Sequence, residues 1–113
     1  GNFLENGTSI RCKDGSVYTG ASMVNSSTGL SINSPRAAIN RAILDGAIER
    51  CGVDFIDEIH TSFSKPIERK DLPRGFVSDL MLEFSSAKCK FNVYTPQTQA
   101  SLKKSDFMSL FIA

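Results

Sequence analysis

The chain has 113 residues, of which 41% are hydrophobic and 22% charged, a composition typical of a single globular domain over residues 1–113. The same composition is compatible with one copy or a fragment of a longer chain. Its formal net charge of +1 does not suggest electrostatic binding of nucleic acid or of anionic membranes, which requires a concentrated basic surface. No apolar run approaches the ~20 residues of a membrane span, so we expect no membrane association.

The first predicted element is a β-hairpin. Two short β-type runs flank the tetrapeptide Lys13-Asp14-Gly15-Ser16. Asp-Gly is a strong hairpin signal because a type I′ turn requires positive φ at both central positions. We therefore predict a hairpin over residues 7–22, followed by a polar turn at residues 25–29.

A helix is predicted to begin at Ser34, whose hydroxyl can cap it, with Pro35 at the first helical position. Gly52 is a typical residue to end it. Small apolar residues recur between them at helical spacing: Ala38, Ile39, Ala42, Ile43, Gly46 and Ala47. This stripe would let a sheet, or a second copy of the helix, approach closely.

The middle of the chain predicts a strand and then a helix. The strand covers residues 53–60, and a charged loop covers residues 64–70. Asp71 and Pro73 would open the second helix. Its apolar face consists of Phe76, Val77, Leu80, Met81 and Phe84.

The last segments predict a strand over residues 90–94, a polar connection over 95–104, and a short final element over 106–113 capped by Ser105. The element order is therefore β-β-α-β-α-β, then the short final element. It predicts an α/β fold with one mixed sheet covered by helices, in which the helix-to-strand steps join parallel strands.

Cysteine usage indicates a reducing environment. The three cysteines, Cys12, Cys51 and Cys89, are odd in number and widely spaced, and no CxxC motif occurs. We interpret them as free thiols of an intracellular protein, with the organelle left open. A zinc site that gathers Cys51, His60 and Cys89 is the less favoured alternative, because a zinc site needs about four converging ligands.

Three ungapped stretches resemble the small nucleoside-type cytidine deaminases. Residues 7–20, GTSIRCKDGSVYTG, correspond to GAALLTKDGKIYTG of that family. Residues 21–46, ASMVNSSTGLSINSPRAAINRAILDG, correspond to CNVENASYGLTICAERTAIFKAVSEG, and residues 72–84, LPRGFVSDLMLEF, to SPCGACRQVMAEF. The resemblance covers residues 3–94. It implies the three-layer cytidine deaminase-like fold, a mixed sheet with an N-terminal hairpin and helices packed on its faces.

The resemblance also implies that the reaction has been lost. The family holds zinc through three ligands and uses a nearby glutamate to shuttle protons. The ribose-holding pair of the family corresponds to Ser22 and Val24, the first zinc ligand to Asn33 and the glutamate to Pro35. The two cysteine ligands correspond to Arg74 and Val77. No Cys, His or Glu lies between Val17 and Ile48, so no shift of register restores the motif. We expect no enzymatic activity, no zinc and no other cofactor.

The favoured hypothesis is a non-catalytic structural or oligomerisation subunit, or a scaffold for protein partners, which self-associates or binds an active deaminase-like subunit. The resemblance implies tetramers whose pockets are completed by C-terminal aromatic residues of neighbouring subunits. Phe107 and Phe111 are candidates, although both could instead close the domain's own core. Ile39 and Ile43 of the first helix are the other candidate interface residues.

Two further hypotheses remain open. A module that binds a nucleotide or RNA would use Arg74, where a helix N-terminus favours an anion, although a solvated Arg74 is more typical and the near-neutral charge argues against RNA. An enzyme with new chemistry would use Asp71, Asp79 and Glu83 as acids, but no nucleophile–base pair accompanies them.

Overall fold

The computed structural model describes residues 6–25, 30–32, 34–68 and 78–112. Its elements are, in chain order, β1 (Asn6–Cys12), β2 (Val17–Ala21), β3 (Met23–Asn25), β4 (Leu30–Ile32), α1 (Ser34–Leu44), α2 (Ala47–Cys51), β5 (Ile56–Phe63), α3 (Ser78–Phe84), β6 (Ser85–Tyr94), β7 (Gln99–Lys103) and α4 (Lys104–Ile112). Five strands form one sheet in the order β2-β1-β5-β6-β7, and β3 pairs separately with β4. The predicted mixed α/β sheet is confirmed.

The N-terminal hairpin is confirmed, but its turn differs from the predicted type I′. Gly15 has φ 88°, and no other residue between β1 and β2 has positive φ. The Gly15 N–H donates to the Cys12 carbonyl (2.9 Å), and the Cys12 N–H donates to the Ser16 carbonyl (2.8 Å). This is a type I turn followed by a left-handed residue, the common three-residue hairpin loop. The Asp14 carboxylate stabilises this turn by accepting bonds from the Ser16 N–H and hydroxyl (3.1 and 2.6 Å).

The first helix is shorter than predicted. Gly46 adopts a left-handed conformation with φ 87° and separates α1 from α2. The Gly46 N–H bonds to the Ile43 carbonyl (3.1 Å), so the chain turns there before α2 begins. Gly52 ends α2 as predicted, with φ 91° and its N–H bonded to the Ile48 carbonyl (2.8 Å). Within the described ranges, no helix is both long and apolar enough to cross a membrane.

The later strands are longer or more numerous than predicted. The strand predicted over 53–60 is shifted to β5, and the one predicted over 90–94 is the second half of β6. β5 and β6, which precede and follow α3 along the sequence, pair in parallel as predicted. The polar connection predicted over 95–104 is wrong, because this segment contains β7, an edge strand antiparallel to β6.

Other predicted features differ or fall elsewhere. α4 begins at Lys104, before the predicted Ser105 cap. The polar segment 25–29 contains the end of β3, and residues 26–29 lie outside the described residues, as do Asp71 and Pro73 at the predicted start of the second helix.

The core lies on one face of the five-stranded sheet. Ile10, Ile59, Phe91 and Leu102 form a continuous buried row across four strands. α4 packs on this face through Phe107, whose ring stacks on Phe91 with centroids 4.3 Å apart. α1 packs on the same face, where Ser34 contacts Thr8, the residue two positions before Ile10 in β1.

The contact between α1 and β2 depends on Gly20. A Cβ atom at Gly20 would lie 2.5 Å from both the Ala38 nitrogen and the Ser34 carbonyl oxygen, which are backbone atoms and cannot move aside individually. Ala38 itself is fully buried. The small apolar stripe predicted for the first helix therefore serves close helix–sheet packing within this chain.

Arg50 of α2 joins the hairpin to the helical side of the domain. Its Nε donates to Asp14 Oδ2 (2.8 Å), and its Nη2 donates to the Tyr18 hydroxyl (2.8 Å). Tyr18 in turn donates to Asp45 Oδ2 (2.5 Å). Bonds from Ser16 and Arg50 hold the pKa of Asp14 well below its usual range, and Asp14 in turn raises the pKa of Arg50.

We expect Gly20→Ala to destabilise the domain by about 3 kcal/mol or more, because overpacking against backbone forces α1 away from β2. The matched control is Gly7→Ala in β1, whose added Cβ would meet its nearest atom at an ordinary 3.9 Å. Urea unfolding of both variants measures the difference. Equal stabilities would contradict a close α1–β2 contact.

Candidate functional site

The start of α1 is bound to β1 through polar side chains. Asn6 Oδ1 accepts hydrogen bonds from the Ser34 N–H (3.2 Å) and from the Ser34 hydroxyl. Ser34 Oγ also lies 2.7 Å from Thr8 Oγ1, which lies 2.9 Å from Thr61 Oγ1 of β5. Ser34, Thr8 and Thr61 are at most 4% exposed. We call these four side chains the hydroxyl chain.

The hydroxyl chain has one consistent direction. The Ser34 proton is given to Asn6, so in the next bond Thr8 must donate to Ser34, and Thr61 must then donate to Thr8. Each buried oxygen thus has a partner, as buried polar groups require. Ser34 is the first residue of α1 and binds β1, so it is not the helix cap that the sequence predicts.

Two of the predicted remnant positions, Ser22 and Pro35, lie next to residues of the hydroxyl chain. Ser22 Oγ accepts a bond from the Asn6 N–H (3.0 Å), and the Ser22 N–H donates to the Asn6 carbonyl (2.9 Å). Pro35 follows Ser34 and is fully buried. Asn6 therefore links Ser22 to the helix start. Sequence reasoning missed Asn6, Thr8 and Thr61, since nothing local to these residues indicates the partners that they contact.

Of the other remnant positions, the structure describes Val24 alone. Val24 lies in β3, paired with Ser31. Asn33, Arg74 and Val77 lie outside the described residues, and so does the anion site predicted at Arg74. Of the acids considered for new chemistry, Asp71 also lies outside them, Asp79 is a residue of α3, and Glu83 is exposed on α3.

The candidate interface residues have different surroundings. Ile39 and Phe107 are fully buried in this domain's own core. Neither side chain is exposed for contact with a partner in this conformation. Phe107 instead packs in the domain's own core, which is the alternative given above for this residue. Ile43 is partly buried against the core. Phe111 belongs to α4, but its side chain is outside the described set.

Among the described residues, Cys51, His60 and Cys89 do not form the alternative zinc site. Cys12 and Cys89 are buried and free, and burial raises the pKa of both, to about 12 for Cys89. Both His60 nitrogens have partners on the opposite face of the sheet, Glu58 (2.6 Å) and the Tyr94 hydroxyl (2.8 Å). In the part of the chain that the structure describes, no three His, Cys, Asp or Glu residues are grouped to hold a metal.

Comparison with solved structures gives the class of fold. Cytidine deaminase from Burkholderia pseudomallei has a TM-score of 0.69 at 18% identity, over 92% of this chain and 78% of that chain. The enzymes from Mycobacterium leprae and Mycobacterium tuberculosis have TM-scores of 0.57 and 0.56, each at 18% identity, over 87% and 80% of this chain and 74% and 67% of theirs. The chain therefore has the cytidine deaminase-like fold. No protein-family model matches the sequence, and no curated protein is significantly similar to it.

We expect Thr8→Val to destabilise the domain by about 1–3 kcal/mol, because it leaves the buried Thr61 hydroxyl without its acceptor. Thr8→Val with Thr61→Val should cost less than the sum of the two single changes, since both ends of one bond are then removed. Chemical unfolding of all three variants measures this coupling. Thr19→Val, at an exposed position of β2, is the control. Strictly additive effects of the two changes would contradict a hydrogen bond between Thr8 and Thr61.

Proposed function

We propose that this protein is a non-catalytic cytidine deaminase-like domain that acts in a protein assembly. The observation that carries the proposal is which side chains occupy the start of α1. Pro35, at the position that the resemblance gives to the proton-shuttling glutamate, is fully buried and has no group that can exchange a proton. Beside it, the hydroxyl chain uses the available donors and acceptors among protein groups.

The chemistry of the hydroxyl chain supports this proposal. Zinc in proteins is held by cysteine, histidine and carboxylate ligands, and none of the four side chains is of that kind. The family stretches aligned with residues 7–20 and 21–46 have alanine at the positions of Thr8 and Ser34. Hydroxyl groups thus stand where those stretches have no hydrogen-bonding side chain, and they anchor α1 without a metal.

We expect the purified protein to contain no stoichiometric zinc and to release no ammonia from cytidine. Restoring the four positions with Asn33→Cys, Pro35→Glu, Arg74→Cys and Val77→Cys should create a site that binds about one zinc ion per chain, because three thiolates and an open position suit zinc. Metal analysis of both proteins after exhaustive dialysis tests this.

Pro35→Glu alone is the control for the restored site, since it supplies the proton shuttle without the thiolates and should bind no zinc. A folded four-residue variant that binds no zinc would contradict the residue correspondence. One zinc per wild-type chain, or deamination by the wild type, would overturn the non-catalytic proposal.

An exposed groove supports a role in assembly. It lies between the hairpin and α1, has a volume of about 560 Å³, and is lined by Val17, Tyr18, Arg41, Leu44 and Asp45. Leu44 is 88% exposed and Val17 is 56% exposed, although both are large apolar residues. Apolar anchors with a polar rim are typical of contact surfaces between proteins. We propose that a second copy of the chain uses this groove.

We expect the protein to self-associate, and Leu44→Glu to raise the dissociation constant about tenfold or more by placing a charge in the contact. Val53→Glu is the matched control, because Val53 is also exposed (54%) but does not line the groove. Light scattering over a concentration series measures both. A monomeric wild type, or equal effects of the two changes, would contradict this contact.

A further inference from the structure

A second pocket lies where β6 and β7 meet the start of α4, on the side of the sheet away from β2. Its volume is about 330 Å³. Four of its seven lining residues are lysines, and the full set is Ala87, Lys88, Cys89, Lys90, Lys103, Lys104 and Ser105. We call it the lysine pocket.

Strand geometry places three of the four lysines on one side of the sheet. Side chains alternate along a strand, so Lys88 and Lys90 of β6 lie on the same side. Lys103 stands directly opposite Lys90 in the antiparallel β6–β7 pair, and α4 begins at the next residue, Lys104. Like charges directly opposite each other in a sheet are destabilising. The free protein therefore carries a repulsion that a bound anion would relieve.

Of the nearby carboxylates, Glu58 has partners outside the pocket and Asp57 forms a long ion pair with Lys88 of the pocket. Glu58 is adjacent to Lys90 in the parallel β5–β6 pair, but its oxygens bind Arg11 (2.6 Å) and His60 (2.6 Å). Asp57 accepts a bond from the Ser86 hydroxyl (2.8 Å) and is 3.8 Å from Lys88.

The remaining charges leave the imbalance in place. Asp54 pairs with Lys13 (2.8 Å), and Asp106 follows Ser105 in the first turn of α4. None of the described acids lines the pocket. The Lys104 ammonium donates to the Leu82 and Ser85 carbonyls (3.3 and 2.9 Å), which fix its position without neutralising it.

We propose that the lysine pocket binds a small ligand through two or more phosphate groups, such as a nucleoside di- or triphosphate. Ammonium groups bind phosphate oxygens as compact point charges, and several of them match a ligand with several negative charges. The volume falls at the lower end of the range for small-molecule sites and suits a compact ligand better than an extended polymer. This site lies apart from the hydroxyl chain and does not depend on the proposed loss of catalysis.

Calorimetric titration of the full chain at low salt tests the proposal with three probes: inorganic pyrophosphate, ATP and adenosine. Pyrophosphate and ATP should bind saturably, and adenosine should not bind. Lys90→Gln with Lys103→Gln should weaken pyrophosphate binding about tenfold or more, since each removes a charge-assisted contact. The control is Arg36→Gln with Lys65→Gln, which removes the same charge from exposed positions that do not line the pocket.

Three results would overturn the proposal. These are no binding of pyrophosphate, equal loss of binding in both double variants, and adenosine binding as tightly as ATP. Circular dichroism of each variant confirms that it is folded before titration.

Discussion

The close approach of α1 to the sheet is the contact on which the rest of the domain depends. Gly20 presents no side chain, so the backbone of α1 passes within a distance that a single methyl group would obstruct. That approach brings Ser34 within hydrogen-bond distance of Thr8, which stands directly opposite Thr61 in the antiparallel β1–β5 pair. One small residue thus allows a helix and two strands to share a buried polar connection.

This connection also accounts for how the helix start is held. In a metal site, ligand bonds contribute directly to folding free energy. Here hydrogen bonds among Asn6, Ser34, Thr8 and Thr61 join the same helix start to the sheet. Such bonds form without any ion, and leaving one of their buried members unpaired is costly. These bonds would let a non-catalytic domain, as proposed, keep its fold after the residues of the reaction were replaced.

Local rules predicted the elements whose determinants are adjacent in sequence. The hairpin at Asp14-Gly15 and the helix start at Ser34-Pro35 are of this kind and appear in the structure, although the turn type and the Ser34 cap differ from the prediction. The edge strand β7 was missed because only Leu102 of its five residues is buried, which leaves no alternating pattern. Gly46 was assigned to an apolar stripe, but its left-handed φ ends α1.

The hydroxyl chain could not be predicted from local pattern, because its bonds join residues 28 and 53 positions apart. Such pairs depend on strand register and on where the helix crosses the sheet. The resemblance assigns Ser22 and Pro35 to one remnant site, but Asn6, whose contacts link Ser22 to the helix start, belongs to a strand with no distinguishing motif.

The Arg50 contacts have a consequence for how the molecule opens. Isolated ion pairs at a surface contribute little to stability. Arg50, however, holds Asp14 and Tyr18 of the hairpin from a helix more than thirty positions away along the chain. Opening the hairpin tip would break these Arg50 contacts of α2 at the same time. Amide protons in these two segments should therefore exchange with solvent through a common opening event, so that the hairpin tip and α2 form one cooperative unit within the native ensemble.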